Sequence, residues 1–152
     1  MLAITTPPGR LPLDAYLSRG TQAGIVWTAA RRAVLHLLWS AAAPLGAYEA
    51  AERLSTPSRR VHPTSIYRAL RCLVEAGLLV PIVTWKKYLI SPDPGGGRLW
   101  AALLCRGCRS CTLVEIASGK AELGQRSAGR DFEPRLCSAE CEGLCSACAD
   151  EP

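Results

Sequence analysis

Residues 62–73 read HPTSIYRALRCL, and this pattern predicts the start of an amphipathic helix. Pro63 suits the first turn of a helix, and either Thr64 or Ser65 can cap it. The apolar positions keep helical spacing: Ile66, Leu70 and Leu73. Hydrogen-bonding and aromatic side chains crowd the first turns: Thr64, Ser65, Tyr67 and Arg68. Such a face belongs either to a helix that touches something other than protein or to an ordinary capped helix exposed to solvent.

The elements around this helix favour the first interpretation. The sequence predicts three earlier helices, an extension of this one to Gly77, and then two short strands: 13–20, 24–42, 46–55, and 78–83 with 87–90. Helices followed by a β-hairpin are typical of a winged helix-turn-helix, whose last helix enters the major groove. This part of the chain therefore predicts a DNA-binding domain.

A proline- and glycine-rich linker, SPDPGGGR, follows the hairpin. Two further strands and a helix are predicted beyond it: 99–105, 112–116 and 117–128. The predicted protein is α+β, with an N-terminal winged helix-turn-helix domain and a small C-terminal α/β domain. The expected boundaries are a flexible arm at 1–12, the winged-helix domain at 13–91, a hinge at 92–98 and the second domain at 99–152.

Charge is unevenly distributed between the two halves. The net charge is +5, but residues 1–91 hold nine Arg and two Lys against four acids, whereas residues 92–152 hold six Arg and one Lys against nine acids. The basic half is the expected polyanion-binding half. The N-terminus lacks an apolar leader, and the longest apolar run, 33–48, is too broken to span a bilayer. We expect a cytoplasmic, nucleoid-associated protein with no membrane partner.

In that compartment eight cysteines indicate metal or redox chemistry rather than structural disulfides. Cys105 and Cys108 form one C-x2-C pair, and Cys145 and Cys148 form another, with 36 residues between the pairs. Two such pairs complete a tetrahedral all-sulfur site, which zinc favours. A site closed by four cysteines is structural rather than catalytic, because it leaves no position open for water.

The order of the motifs resembles the ferric uptake regulator superfamily, and most closely its zinc uptake regulator branch. The segments that carry this resemblance are LGAYEAAERL (45–54), HPTSIYRALRCLVEAGLL (62–79), KKYLI (86–90), LLCRGC (103–108) and EGLCSAC (142–148). The resemblance implies a homodimeric repressor whose C-terminal domain dimerises. It also implies one structural Zn2+ per chain and a separate regulatory metal site near the hinge.

The resemblance also implies which residues contact DNA. Residues 64–70 match the family's recognition helix, Arg68 matches an arginine that reads a purine edge, and Tyr48 matches a tyrosine that contacts the duplex. Arginine chemistry agrees, because a guanidinium can donate to both O6 and N7 of guanine. Further contacts with phosphates or thymine methyls are expected from Arg59, Arg60, Thr64, Ser65 and Tyr67. Arg31, Arg32, Lys86 and Lys87 are expected to add sequence-independent attraction or to remain solvated.

The regulatory metal site of the family is not matched. Its ligand positions fall near Val80, Ser91, Arg98 and Leu113, none of which is an ordinary metal ligand, and the C-terminal half contains no histidine. Three cysteines are surplus to the four-cysteine site: Cys111, Cys137 and Cys141. If residues 137–148 are helical, Cys137 and Cys141 share a face with Cys145 and Cys148, and the three surplus thiolates could bind a thiophilic ion such as Zn2+ or Cu(I). Alternatively, two of them could oxidise to a disulfide, or all three are spare thiols.

The sequence therefore predicts a repressor that binds a pseudo-palindromic, double-stranded DNA operator as a homodimer. Its structural zinc site is intact, and its sensing site is degenerate or built from cysteines. Two alternatives remain open: a zinc-stabilised protein-interaction module, and a thiol redox-sensing regulator that no longer responds to metal. An enzyme with a small organic substrate is not expected, because both histidines lie in the N-terminal half and nothing pairs a nucleophile with a base.

Overall fold

The structure is a computed structural model that describes residues 10–116, 119–128, 130–132 and 137–149. The chain divides into two compact units whose boundary lies between Gly96 and Gly97, within the predicted hinge at 92–98. The first nine residues of the predicted flexible arm lie outside the described residues. Within the remaining three residues of that arm, the Arg10 guanidinium donates to the carbonyls of Trp39 and Ala41.

The first unit contains four helices around one apolar core. They are α1 (Leu13–Gln22), α2 (Ala29–Ser40), α3 (Ala47–Leu54) and α4 (Pro63–Glu75). The core side chains recur at helical spacing, and those that are almost fully buried include Tyr16, Val34, Leu35, Ile66, Leu70 and Leu73. Burying each large apolar side chain contributes about 1.5–3 kcal/mol, and this burial stabilises the unit.

Two helix starts differ from the sequence prediction. Helix α2 begins five residues later than predicted, because the Thr28 hydroxyl accepts a hydrogen bond from the Arg31 N–H at 3.3 Å and so caps the helix there. Helix α4 begins two residues earlier than a Thr64 cap allows, and three earlier than a Ser65 cap allows. His62 holds the cap position, and Pro63, with its fixed φ, forms the first helical residue. Gly77 has a φ of +70° and ends α4, as predicted.

A three-stranded antiparallel sheet completes this unit. Its strands are β1 (Leu45–Gly46), β2 (Leu79–Ile82) and β3 (Lys87–Ile90), in the order β1-β3-β2. The β2–β3 hairpin turns through residues 83–86, where Lys86 has a positive φ of 52°. An ion pair of 3.0 Å between Lys87 and Glu49 joins this hairpin to α3. The Gly46 N–H, at 2.7 Å, and the Lys87 ammonium both lower the pKa of Glu49.

The second unit is built on another three-stranded sheet. Its strands are β4 (Leu99–Cys105), β5 (Cys111–Ile116) and β6 (Ala139–Gly143), and its helices are α5 (Gly119–Ala128) and α6 (Ser146–Ala149). Strand β4 lies in the centre, antiparallel to β5 and parallel to β6. Residues 137–148 do not form the single helix on which the shared face of Cys137 and Cys141 depended, because residues 139–143 pair with β4 as a strand. No helix among the described residues is both long enough and apolar enough to cross a bilayer.

Candidate metal centre and nucleic-acid interface

The two C-x2-C pairs lie together at one end of the second sheet. Cys105 ends β4 and Cys145 follows β6, and these two strands run parallel with Cys105 in register with Gly143. The Arg106 N–H donates to the Gly143 carbonyl at 2.8 Å, and the Cys145 N–H donates to the Cys105 Sγ at 3.3 Å. The parallel pairing therefore brings together two motifs that are 36 residues apart in the sequence.

The four sulfurs fit a zinc ion. The Sγ atoms of Cys105, Cys108, Cys145 and Cys148 all lie within 4.8 Å of one another, and no other such group of three or more potential ligands occurs in the described ranges. The Cys108 and Cys145 Sγ atoms are 3.7 Å apart. A tetrahedron with Zn–S bonds of about 2.3 Å has edges of about 3.8 Å, whereas a disulfide bond is only about 2.05 Å long. The four-cysteine group can therefore hold zinc.

The electrostatics of the group also favour a cation. The Cys145 and Cys108 N–H groups lower the pKa of Cys105 to about 6. The Ser110 hydroxyl and N–H lower the pKa of Cys108. The neighbouring sulfurs, Cys145 first, raise the pKa of Cys148 to about 12. Four thiolates this close repel one another, and a bound divalent ion removes that conflict.

Gly107 is a residue of this centre that sequence reasoning missed. A Cβ atom at this position would lie 2.8 Å from the Cys148 Sγ and 2.9 Å from its Cβ. The turn between Cys105 and Cys108 therefore has room for Cys148 only if residue 107 has no side chain. The small residue inside the first C-x2-C pair was the available signal.

The three surplus cysteines do not form a second group of the same kind. Cys111 pairs with Leu104 and Cys141 pairs with Leu103, so their side chains lie on opposite faces of the sheet. Cys111 is only 2% exposed, and burial together with the nearby Glu140 raises the pKa of its thiol to about 11. Cys137 is half-buried, and Cys141 is exposed. One ion cannot bind both Cys111 and Cys141 while this register holds, so the hypothesis of a three-cysteine metal site loses its geometric basis.

Helix α4 separates its residues into two faces. Ile66, Ala69, Leu70 and Leu73 are buried against the core. The other face exposes the predicted DNA-contacting residues Thr64, Ser65, Tyr67 and Arg68. The hydrogen-bond donors and the aromatic ring therefore face solvent, as both interpretations of the sequence pattern require.

Two tyrosines from neighbouring helices extend the exposed face. Tyr48 on α3 is 70% exposed and Tyr67 on α4 is 44% exposed. Their rings pack edge to face, with centroids 6.3 Å apart and planes at 85°. Each of these exposed tyrosines has an apolar ring and a polar hydroxyl tip. This is a suitable surface for thymine methyls and sugar–phosphate groups.

The basic residues near this face fall into two sets. Three of them are engaged within the protein: Arg31 donates to the Val26 carbonyl at 2.5 Å, Arg32 stacks on Trp27, and Lys87 pairs with Glu49. Arg59, Arg60, Arg68 and Lys86 are exposed, and no ion pair of theirs occurs within the part of the chain that the structure describes. The second set is therefore the one available to a polyanion.

The positions that match the family's regulatory metal site have other roles in this structure. Ser91 is 4% exposed, and its carbonyl accepts a hydrogen bond from the Tyr16 hydroxyl at 2.7 Å. Arg98 forms an ion pair with Glu115 at 3.2 Å, and Leu113 is buried. Val80 pairs with Leu89 in the β-hairpin. These four positions thus take part in packing, backbone hydrogen bonding and an ion pair, which agrees with the absence of ordinary ligands there in the sequence.

Several solved structures have a fold similar to that of this chain. The structure matches holo XcZur with a TM-score of 0.69 and 26% identity, and the match covers 90% of this chain and 96% of that chain. A zinc uptake regulator complexed with zinc and DNA matches with a TM-score of 0.72 and 23% identity, over 91% of this chain and 93% of that one. The Helicobacter pylori ferric uptake regulator matches with a TM-score of 0.57 and 16% identity, over 94% and 97%.

The chain has the fold of the ferric uptake regulator superfamily. The resemblance predicted from the sequence is confirmed over most of the chain, and the two zinc uptake regulators score higher than the ferric regulator in this comparison. No family model matches the chain, and no curated protein matches it either.

Proposed function

We propose that the protein is a homodimeric transcriptional repressor that reads a pseudo-palindromic DNA operator with α4. The observation that carries this proposal is the exposed face of α4, where Thr64, Ser65, Tyr67 and Arg68 all face solvent while the opposite face is buried. A helix that presents an unpaired guanidinium beside hydroxyls and a tyrosine has the groups needed to contact base edges and phosphates.

The similar solved structures support the same role. One of them is a zinc uptake regulator bound to both zinc and DNA, and the others are metal-responsive regulators rather than enzymes. By this likeness residues 13–91 form the winged-helix domain, with the β2–β3 hairpin as the wing. The unit from residue 99 onward forms the dimerisation domain and pairs two such modules across a symmetric site.

Zinc in the four-cysteine site is structural in this proposal. Cys105, Cys108, Cys145 and Cys148 supply all four ligands, so the bound ion holds the ends of β4 and β6 together and has no open position for a substrate. Binding free energy at such a site is also folding free energy. Metal-responsive control through the hinge is not part of the proposal, because Val80, Ser91, Arg98 and Leu113 offer no metal-binding set.

The test compares two arginines on the same helix. Arg68 and Arg71 are both exposed, but Arg71 already forms an ion pair with Glu75 at 2.9 Å. Operator duplexes selected from a random-sequence pool are titrated with the wild type, Arg68→Ala and Arg71→Ala, and binding is followed by fluorescence anisotropy. Arg68→Ala is expected to lose about 1–3 kcal/mol of specific binding and to discriminate less at one base pair. Arg71→Ala is expected to behave like the wild type.

Two results would contradict the proposal. Equal operator selectivity in Arg68→Ala and the wild type would remove Arg68 from the readout. A wild-type protein that binds every duplex weakly and without sequence preference would instead favour a zinc-stabilised protein-interaction module.

A further inference from the structure

A cavity of 220 Å³ lies beside the start of α4, one helical turn before Arg68. Its polar wall is formed by Arg59, Arg60, His62 and Ser65, and its apolar wall includes Ala30 and Ala33 of α2. None of the side chains that line it is acidic. The cavity thus combines two arginines, a histidine and a serine with an apolar lining, whose other members are Ala29, Leu54, Val61 and Ile66.

The loop that carries both arginines is fixed in place. The Thr56 N–H donates to the Arg59 carbonyl at 2.9 Å, and the Arg59 N–H donates back to the Thr56 carbonyl at 3.1 Å. At its other end, the Val61 N–H donates to the Ser55 hydroxyl at 2.9 Å, and this hydroxyl in turn donates to the Ala51 carbonyl at 2.7 Å. A basic loop tied at both ends loses little conformational entropy when it binds an anion.

The two guanidinium groups have no competing carboxylate. Across the described residues, carboxylates pair with Arg71, Arg98 and Arg126, while Arg59 and Arg60 appear in no ion pair. Together with the Ser65 hydroxyl and the His62 imidazole, they are the side-chain hydrogen-bond donors among the residues that line the cavity. Arginine forks match the oxygens of a phosphate group.

We propose that this cavity binds one backbone phosphate of each operator half-site and so fixes the register of α4 in the groove. This inference rests on the proposed function and adds a specific site to it. Ser65 and Arg68 are three residues apart on one helix face, so a phosphate held beside Ser65 sets where the Arg68 guanidinium meets the base edges. Ala30 has a role too, because a larger side chain there fills the space that the phosphate needs.

The experiment removes the charge of one phosphate at a time. Duplexes of the selected operator carry a single neutral methylphosphonate linkage at successive positions in one half-site, and each is titrated with full-length protein. With the wild type, we expect one linkage to weaken binding about tenfold, since a hydrogen bond to a charged group is lost. With Arg59→Gln/Arg60→Gln, the same linkage should no longer matter.

Filling the cavity gives a second, independent test. Ala30→Leu should weaken binding to operator and non-operator duplexes alike and lower the slope of log K against log salt by about 1. Ala42→Leu, at an exposed position outside the cavity, and Arg126→Gln, in the second unit, are matched controls and should leave both quantities unchanged. The thermal midpoint of the protein is also measured with inorganic phosphate alone. A rise in the midpoint would indicate a site for free phosphate rather than for a phosphate of the DNA backbone.

Each outcome decides a different point. If the wild type selects an operator but no linkage distinguishes it from the arginine double variant, the phosphate site is refuted and the proposed function stands. The phosphate site is also refuted if free phosphate binds the cavity while no methylphosphonate linkage affects DNA binding. If the wild type shows no sequence selectivity at all, the proposed function itself fails.

Discussion

Replacing Gly107 by alanine should break the metal centre. The added Cβ would lie 2.8 Å from the Cys148 Sγ, and ordinary van der Waals contact begins at 3.4 Å, so the sulfur must move by at least 0.6 Å. Zinc–sulfur distances tolerate about 0.2 Å. Rotating the Cys148 side chain does not relieve the clash, because its Cβ would be only 2.9 Å from the new atom. The variant must therefore lose a zinc ligand or distort the turn.

The expected loss of zinc affinity is at least about 100-fold, or about 2.7 kcal/mol, the upper end for perturbing the surroundings of a metal ligand. The assay is competition for zinc with a chromophoric chelator, followed by the metal content of the purified chain. Gly143→Ala is the matched control, because a Cβ at that position meets nothing within 4 Å and φ is not positive. A Gly107→Ala protein that binds zinc as tightly as the wild type would refute this steric reasoning.

Three further predictions concern other parts of the chain. Tyr16→Phe removes the hydrogen bond to the Ser91 carbonyl and should cost about 1 kcal/mol of unfolding free energy. Because burial raises the pKa of Tyr16 to about 12, its contribution to stability is complete below about pH 10 and lost between pH 10 and 12. Denaturant titrations should therefore show a smaller alkaline decline in the variant than in the wild type, and equal declines would contradict this. Gly20→Ala should destabilise by about 1–3 kcal/mol despite a gain in helix propensity, because its Cβ would collide with the Trp27 ring; an unchanged thermal midpoint would speak against that packing. Cys141→Ser should retain one zinc per chain, whereas Cys105→Ser should lose it and unfold the second unit, and metal analysis with circular dichroism separates these results.

The faces of α4 were predictable from the sequence because helical spacing is a local property. Ile66, Leu70 and Leu73 have to lie on one side, so Tyr67 and Arg68 have to lie near the other. The grouping of the four cysteines was predictable for a different reason. Thiolates at C-x2-C spacing offer zinc two ligands from each turn, and two such turns complete a tetrahedron.

The features that the sequence did not predict depend on tertiary contacts. Residues 139–143, AECEG, alternate small residues with glutamates, but the segment is short and lacks large apolar side chains, and its pairing with the backbone of β4 makes it a strand. That pairing puts Cys141 and Cys111 on opposite faces of the sheet, which a helical reading of 137–148 could not reveal. The close approach of Gly107 and Cys148 is equally non-local, since 40 residues separate the two positions.

The reading of an operator by paired α4 helices is tested most directly by selection from a random pool of DNA duplexes with the zinc-loaded full-length protein. The proposal predicts enrichment of an inverted repeat whose half-sites lie about 10–10.5 base pairs apart, or a multiple of this spacing, because two identical modules must face the same side of the duplex. It also predicts that Arg68→Ala fails to enrich the same repeat. Enrichment of no sequence, or of an asymmetric site that Arg68→Ala selects equally well, would contradict it.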